Sequence, residues 1–140
     1  MKRIELKTAG NGLVEITQEV RRVVEESGLR RGAAVLWVPH TTAGLTVISR
    51  MDVLGFADIE EETDRLIPTR VNFKHQFDTP TDAAGHIKSA LFGVGQTVIV
   101  EDGALQLGSS QGIFFFEFDG PRRREVWVQL LPAETGGGGA

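Results

Sequence analysis

The stretch AAVLWVPHTTAGLTVIS, residues 33–49, places five small or polar residues between two β-rich runs. Residues 33–39 are uninterruptedly apolar, the composition of a strand buried on both faces, and residues 45–49 keep β character. Two strands are therefore expected on either side of HTTAG. Thr41, Thr42 and Gly44 at the mouth of a buried strand let backbone N–H groups and hydroxyls come close to an anion, as phosphate binding requires. An ordinary threonine-rich turn is the alternative.

Upstream, residues 3–17 form two short strand-like runs around Asn11-Gly12, which predicts an opening hairpin. Thr17 is the expected N-cap of a helix that carries Val20, Val23 and Val24 on one face and stops at Gly28. Downstream, residues 52–66 repeat apolar positions at helical spacing, with Asp58, Glu60, Glu61, Glu62 and Asp64 mostly outward. A shorter helix follows over residues 79–93, with Asp82 as the expected N-cap and Gly93 after its end. The last third alternates strand-like runs with turn signals at Asp102-Gly103 and Gly120-Pro121, which predicts an antiparallel meander. The fold class is thus α+β: three helices on a mainly antiparallel or mixed sheet, in a single compact domain over residues 1–135 with a Gly-rich tail at 136–140.

Size and charge narrow the function classes. A chain of 140 residues, 41% hydrophobic and 24% charged, forms one core without needing a disulfide or structural metal. The absence of cysteine excludes a thiol nucleophile and a Cys-ligated zinc site. A net charge of -4 argues against nucleic acid as a partner, the local cluster at residues 121–125 notwithstanding. No apolar run is long enough to span a membrane and the start lacks a signal-peptide core, so the expected location is cytoplasmic. Walker A, G-x-G-x-x-G, H-E-x-x-H and G-x-S-x-G patterns are all missing.

The chemistry that remains centres on three histidines. His40 ends a strand, His75 lies in a polar stretch, and His86 sits in a helix; three neutral imidazoles with an open position describe a catalytic metal centre. Scattered hydrogen-bonding histidines are the alternative. In residues 113–119 the period of two places Ile113, Phe115, Glu117 and Asp119 on one side, so two carboxylates share a face. Gln111 lies between Gly108 and Gly112 in a turn, and Arg122 and Arg124 alternate as potential bidentate phosphate donors.

The ordered set HTTAGLTVI, the lone His75, DAAGHIKSALFG and VEDGALQLGSSQGIFFFEFDGPRRREVWVQ resembles the YjbQ family, whose members are sometimes labelled secondary thiamine-phosphate synthases. The resemblance covers nearly the whole chain. It implies a small α+β fold that assembles as a homotrimer, with pockets near subunit contacts and three histidines around a divalent metal, zinc or magnesium. It also implies weak thiamine-phosphate synthase activity, joining a pyrimidine pyrophosphate to a thiazole phosphate. On this resemblance His40, His75 and His86 are the metal and acid–base residues, with Glu117 as a further catalytic group. Thr41, Thr42, Lys88, Gln111, Arg122 and Arg124 would hold phosphate of a small phosphorylated molecule. Three positions depart from the family pattern: Ser49-Arg50 replaces Asn-Glu, Asp82 replaces asparagine and Ser110 replaces tryptophan. These departures keep open a second reading, a non-catalytic trimer that binds a phosphorylated metabolite or a metal.

Overall fold

In the computed structural model, which describes residues 1–134, the two runs around HTTAG do form strands, and the chain between them changes sheet. The first run is β3 (Gly32–Trp37) and the second β4 (Ala43–Ser49). β3 lies in a five-stranded sheet with β1 (Lys2–Lys7), β5 (Gly95–Glu101), β6 (Ala104–Leu105) and β8 (Arg123–Pro132), ordered β1-β8-β3-β5-β6. β4 lies in a three-stranded sheet with β2 (Gly12–Glu15) and β7 (Gln111–Glu117), ordered β2-β7-β4. Every pairing among the described strands is antiparallel.

The inner faces of the two sheets share one core. Leu36, Val98, Val100, Val126 and Val128 meet Leu45, Ile113 and Phe115, and helix α1 (Thr17–Ser27) adds Val20 and Val24. Fully burying each such side chain contributes about 1.5–3 kcal/mol. The three-stranded sheet buries its other face as well: Phe114 packs on Phe56 of α2 (Val53–Leu66), and Phe116 on Phe92 of α3 (Pro80–Phe92). The expected alternation along residues 113–118 is therefore present, with both of its faces buried.

Several local expectations give way to longer-range pairing. β1 and β2 do not form a hairpin: β1 pairs with β8 and β2 with β7. Asn11 uses its side chain to accept the Gly120 N–H at 2.7 Å, holding the crossover rather than a tight turn. Of the expected meander only the β5–β6 hairpin forms, turning at Asp102 and Gly103 with φ of 52° and 75°. β7 instead runs between β2 and β4, paired along its whole length with β4, and β8 runs between β1 and β3. β3 is buried on one face only, through Ala34 and Leu36, while Trp37 on the other face is exposed. Thr17 does not cap α1; Ile16 holds the cap position, and Thr17 Oγ1 accepts the Ile113 N–H and donates to Glu15. Asp82 does not cap α3 either. Thr79 does, accepting the Asp82 N–H at 3.1 Å, with Pro80 following at the first helical position where its missing N–H costs nothing.

The expected Gly-rich tail, residues 136–140, lies outside the described residues. No helix among the described residues is long and apolar enough to cross a membrane.

Candidate functional site

Moving the cap from Asp82 to Thr79 frees the Asp82 carboxylate. Asp82 sits in the first turn of α3, where the helix dipole favours negative charge, and His86 lies four residues on, on the same side of the helix. His86 Nε2 is 3.2 Å from Asp82 Oδ2. His75, on the segment between α2 and α3, brings its Nε2 to 3.0 Å from the same oxygen. The ligand atoms of His75, Asp82 and His86 all lie within 4.8 Å of one another. Asp82 is largely buried, with 12% of its side chain exposed, whereas His75 and His86 keep 47% and 39%. The cluster thus has a sheltered carboxylate and an open side.

Two features hold α3 in place. Ser89 Oγ donates to Ala43 O at 2.7 Å, and the buried Lys88 reaches Asp64 Oδ1 at 2.7 Å. At Gly85 the helix touches the HTTAG crossover so closely that a Cβ would lie 3.2 Å from Thr42 Cβ and 3.3 Å from Phe118 O. The missing side chain lets His86 approach the crossover. Consequently His40, Thr41 and His86 line one shallow cavity with Trp37 and Pro39, of about 570 Å³.

His40 is not in the His75–Asp82–His86 cluster. Its Nε2 accepts the Glu125 N–H at 2.9 Å, so the neutral ring carries its proton on Nδ1. Burial, and then repulsion from Arg124, hold its pKa below the usual histidine range. With Nε2 taken by the Glu125 N–H, the ring offers its Nδ1–H as a donor.

The other sequence-selected residues divide clearly. Glu117 and Arg124 form a buried ion pair between the inner faces of the two sheets, with Arg124 Nη2 2.6 Å from Glu117 Oε2. Thr8 Oγ1 and the N–H groups of Phe118 and Asp119 also donate to Glu117. Burial alone would raise its pKa, but the hydrogen bonds from Arg124 and Thr8 outweigh it and hold the carboxyl below its usual value. Arg124 additionally donates to Thr42 O and Oγ1, which fixes the crossover. Both residues are thereby committed within the fold. Arg122 is committed to Asp119 at 2.8 Å, whose hydrogen bond raises the guanidinium pKa. Gln111 Oε1 accepts the Gly108 N–H, closing its own turn. Lys88 is tied to Asp64, and Thr41 is left exposed at the rim near His40 and His86.

The positions that depart from the family pattern do not crowd the cluster. Arg50 pairs with Glu15 at 2.7 Å and its N–H donates to Ser110 O, so Arg50 and Ser110 are neighbours. They lie at the Ser49 end of β4, roughly 20 Å of strand away from the crossover. Asp82 alone belongs to the site. Its signal in the sequence is Asp-x-x-x-His on one helix face, four-residue spacing that makes neighbours of the two side chains.

A second cavity of about 650 Å³ opens on the exposed side of the cluster, lined by Arg70, Phe73, Lys74, His75, His86 and Ile87 among others. Residue-level reading of the sequence did not single out Arg70, Phe73 or Lys74.

A family model described as UPF0047 protein YjbQ-like matches residues 2–133. The chain is 47% identical over 119 residues to a UPF0047 protein of Methanocaldococcus jannaschii, covering 85% of this chain and 84% of that one. It is 37% identical over 134 residues to the UPF0047 protein YugU of Bacillus subtilis, covering 94% and 98%. Among solved structures, an uncharacterized YjbQ/UPF0047 protein from Clostridium acetobutylicum superposes with a TM-score of 0.86 at 39% identity, over 94% of this chain and 100% of that one. A protein of unknown function from Sulfolobus solfataricus does so with a TM-score of 0.88 at 29% identity, over 94% and 96%.

Proposed function

The chain belongs to the UPF0047 YjbQ-like family, and from that premise we propose that it is a divalent-metal-dependent enzyme acting on a small phosphorylated molecule. The observation that carries this reading is the convergence of His75, Asp82 and His86 within 4.8 Å, beside a cavity that both imidazoles line. Two imidazoles and one carboxylate, with the remaining side open, are the donor set of catalytic rather than structural centres. Imidazole donors favour zinc over magnesium, which prefers all-oxygen surroundings. A divalent ion held there supplies charge neutralisation to a phosphate and its leaving group.

The chain's own groups do the rest. Asp82, sheltered at the start of α3, orients both imidazoles through one oxygen. His40, neutral with its proton on Nδ1, would act as a hydrogen-bond donor in the shallow cavity it shares with His86. Arg124 and Glu117 position the crossover that carries His40 and Thr41.

The finer reading is a thiamine-phosphate synthase-like transfer, in which pyrophosphate leaves a pyrimidine with its bonding electron pair as the thiazole phosphate attacks. Homotrimer formation goes with it, and is supported by the outer face of the five-stranded sheet, where Trp37, Ile99 and Leu131 are exposed. The remoteness of Arg50 and Ser110 from the cluster favours catalysis over a degraded, binding-only site. Assay of the two thiamine precursors with the zinc-loaded protein tests this reading. Release of pyrophosphate that is lost on chelation is the expected result. No turnover, together with no zinc uptake, would overturn it.

A further inference from the structure

Residues 67–79 run between α2 and α3 without regular structure, and they build the part of the 650 Å³ cavity that the imidazoles do not. Phe73 anchors this segment: it is buried against Ala83 and Ala84 of α3, in an apolar cluster separate from the main core. The Arg70 guanidinium lies over the Phe73 ring, 4.6 Å from its centroid, which spares the cation an acidic partner. Lys74 follows directly after the anchor. Both cations line the cavity together with His75 and His86, and no carboxylate is among its lining residues. Neither Arg70 nor Lys74 forms a salt bridge among the described residues. Two unpaired cations focused on one concave wall select for negative charge.

We propose that Arg70 and Lys74 are the clamp that holds the phosphate of the substrate against the His75–Asp82–His86 centre, with its apolar body beside the exposed Ile87. This rests on the metal-dependent reading above and adds the residues that recognise the substrate. A divalent ion, one carboxylate and two cations leave an excess of positive charge, which a phosphate dianion matches better than a single carboxylate does. The residues to which sequence resemblance gives this role, Arg122, Arg124, Lys88 and Gln111, are occupied within the fold.

The test is calorimetric titration of phenyl phosphate and of benzoate into the zinc-loaded and the metal-stripped protein, for the wild type, R70A/K74A and R70K. The double variant should bind phenyl phosphate about tenfold or more weakly in both forms, with zinc affinity unchanged; R70K should fall between. Benzoate should bind the wild type more weakly than phenyl phosphate. Failure of the wild type to bind phenyl phosphate, or a change below about twofold in R70A/K74A, would overturn the clamp. Equal affinity for benzoate would overturn its assignment to phosphate. If the protein takes up no zinc, the metal-dependent reading fails separately, while the metal-stripped titrations still decide the clamp.

Discussion

The imidazoles of His75 and His86 meet edge to face, with ring centroids 5.1 Å apart and planes at 88°. That geometry points both Nε2 atoms at one oxygen of Asp82 instead of stacking the rings. Residues eleven apart in sequence acquire it because Phe73 pins the segment carrying His75 to the same helix that carries His86. Several consequences can be measured.

His40 and His86 should differ in metal binding. The H40Q variant, in which an amide oxygen can still accept the Glu125 N–H, should keep full zinc stoichiometry by elemental analysis. Turnover should nonetheless fall by about 10²–10³-fold, the range for loss of one hydrogen-bond donor that acts in the transition state. Loss of zinc from H40Q would return His40 to the ligand set.

The Glu117–Arg124 pair should behave as a buried unit. R124M alone leaves a buried carboxylate without its cation and should cost about 3–5 kcal/mol in denaturant unfolding. The double variant E117L/R124M should recover much of that loss, since replacing both charges by apolar groups is often near neutral. Additive losses in the double variant would contradict the pairing.

Two pH windows follow. His40 has a folded pKa below its unfolded value of about 6.5, so the folded protein binds fewer protons there. Stability should be insensitive to this group above that pH and should fall as pH drops from about 6.5 toward the folded value; H40Q should flatten the slope. Glu117 is also depressed, so its contribution is present above the unfolded carboxyl value of about 4.3 and is lost as pH falls through the lower folded value. Urea midpoints across pH 3–8 for wild type and H40Q separate the two windows. An unchanged slope in H40Q between pH 6.5 and 5 would contradict the first.

Gly85→Ala should strain the contact between α3 and the crossover without dismantling the metal cluster. The new Cβ meets Thr42, whose hydroxyl is held by Arg124, and the Phe118 carbonyl, so neither neighbour gives easily. Overpacking of about 1–3 kcal/mol outweighs the roughly 1 kcal/mol gained in helix propensity. A lower melting temperature with zinc retained is expected. A stabilised variant would show that α3 can move away from Thr42 at little cost.

Much of the fold is legible in local sequence, and the places where it is not share a cause. The three helices, the β5–β6 turn and the alternation along β7 follow from period and capping chemistry within short windows. The division into two sheets does not: Asn11-Gly12 and HTTAG both look like turns locally, and they become crossovers because β1 pairs with the distant β8 and β2 with the distant β7. Asp82 was legible as a helix-start residue, but Thr79, three residues earlier and followed by Pro80, is the better start, which frees Asp82 for the imidazoles. Glu117 and Arg124 look like site residues because both are polar and motif-borne. Their union inside the core depends on the two sheets facing each other, which no spacing along the chain reveals. Arg70 and Lys74 carried no motif at all, and only the buried anchor between them gives them a shared direction.

The most direct test of the metal centre is equilibrium zinc binding to the wild type, H86A, D82N and H40Q under one buffer condition. One zinc per chain in the wild type and in H40Q is predicted, with affinity reduced by more than about 100-fold in H86A and D82N, because even outer partners of a metal site cost 10–100-fold. A wild type that binds no zinc, or an H86A variant that binds it as tightly as the wild type, would contradict the account.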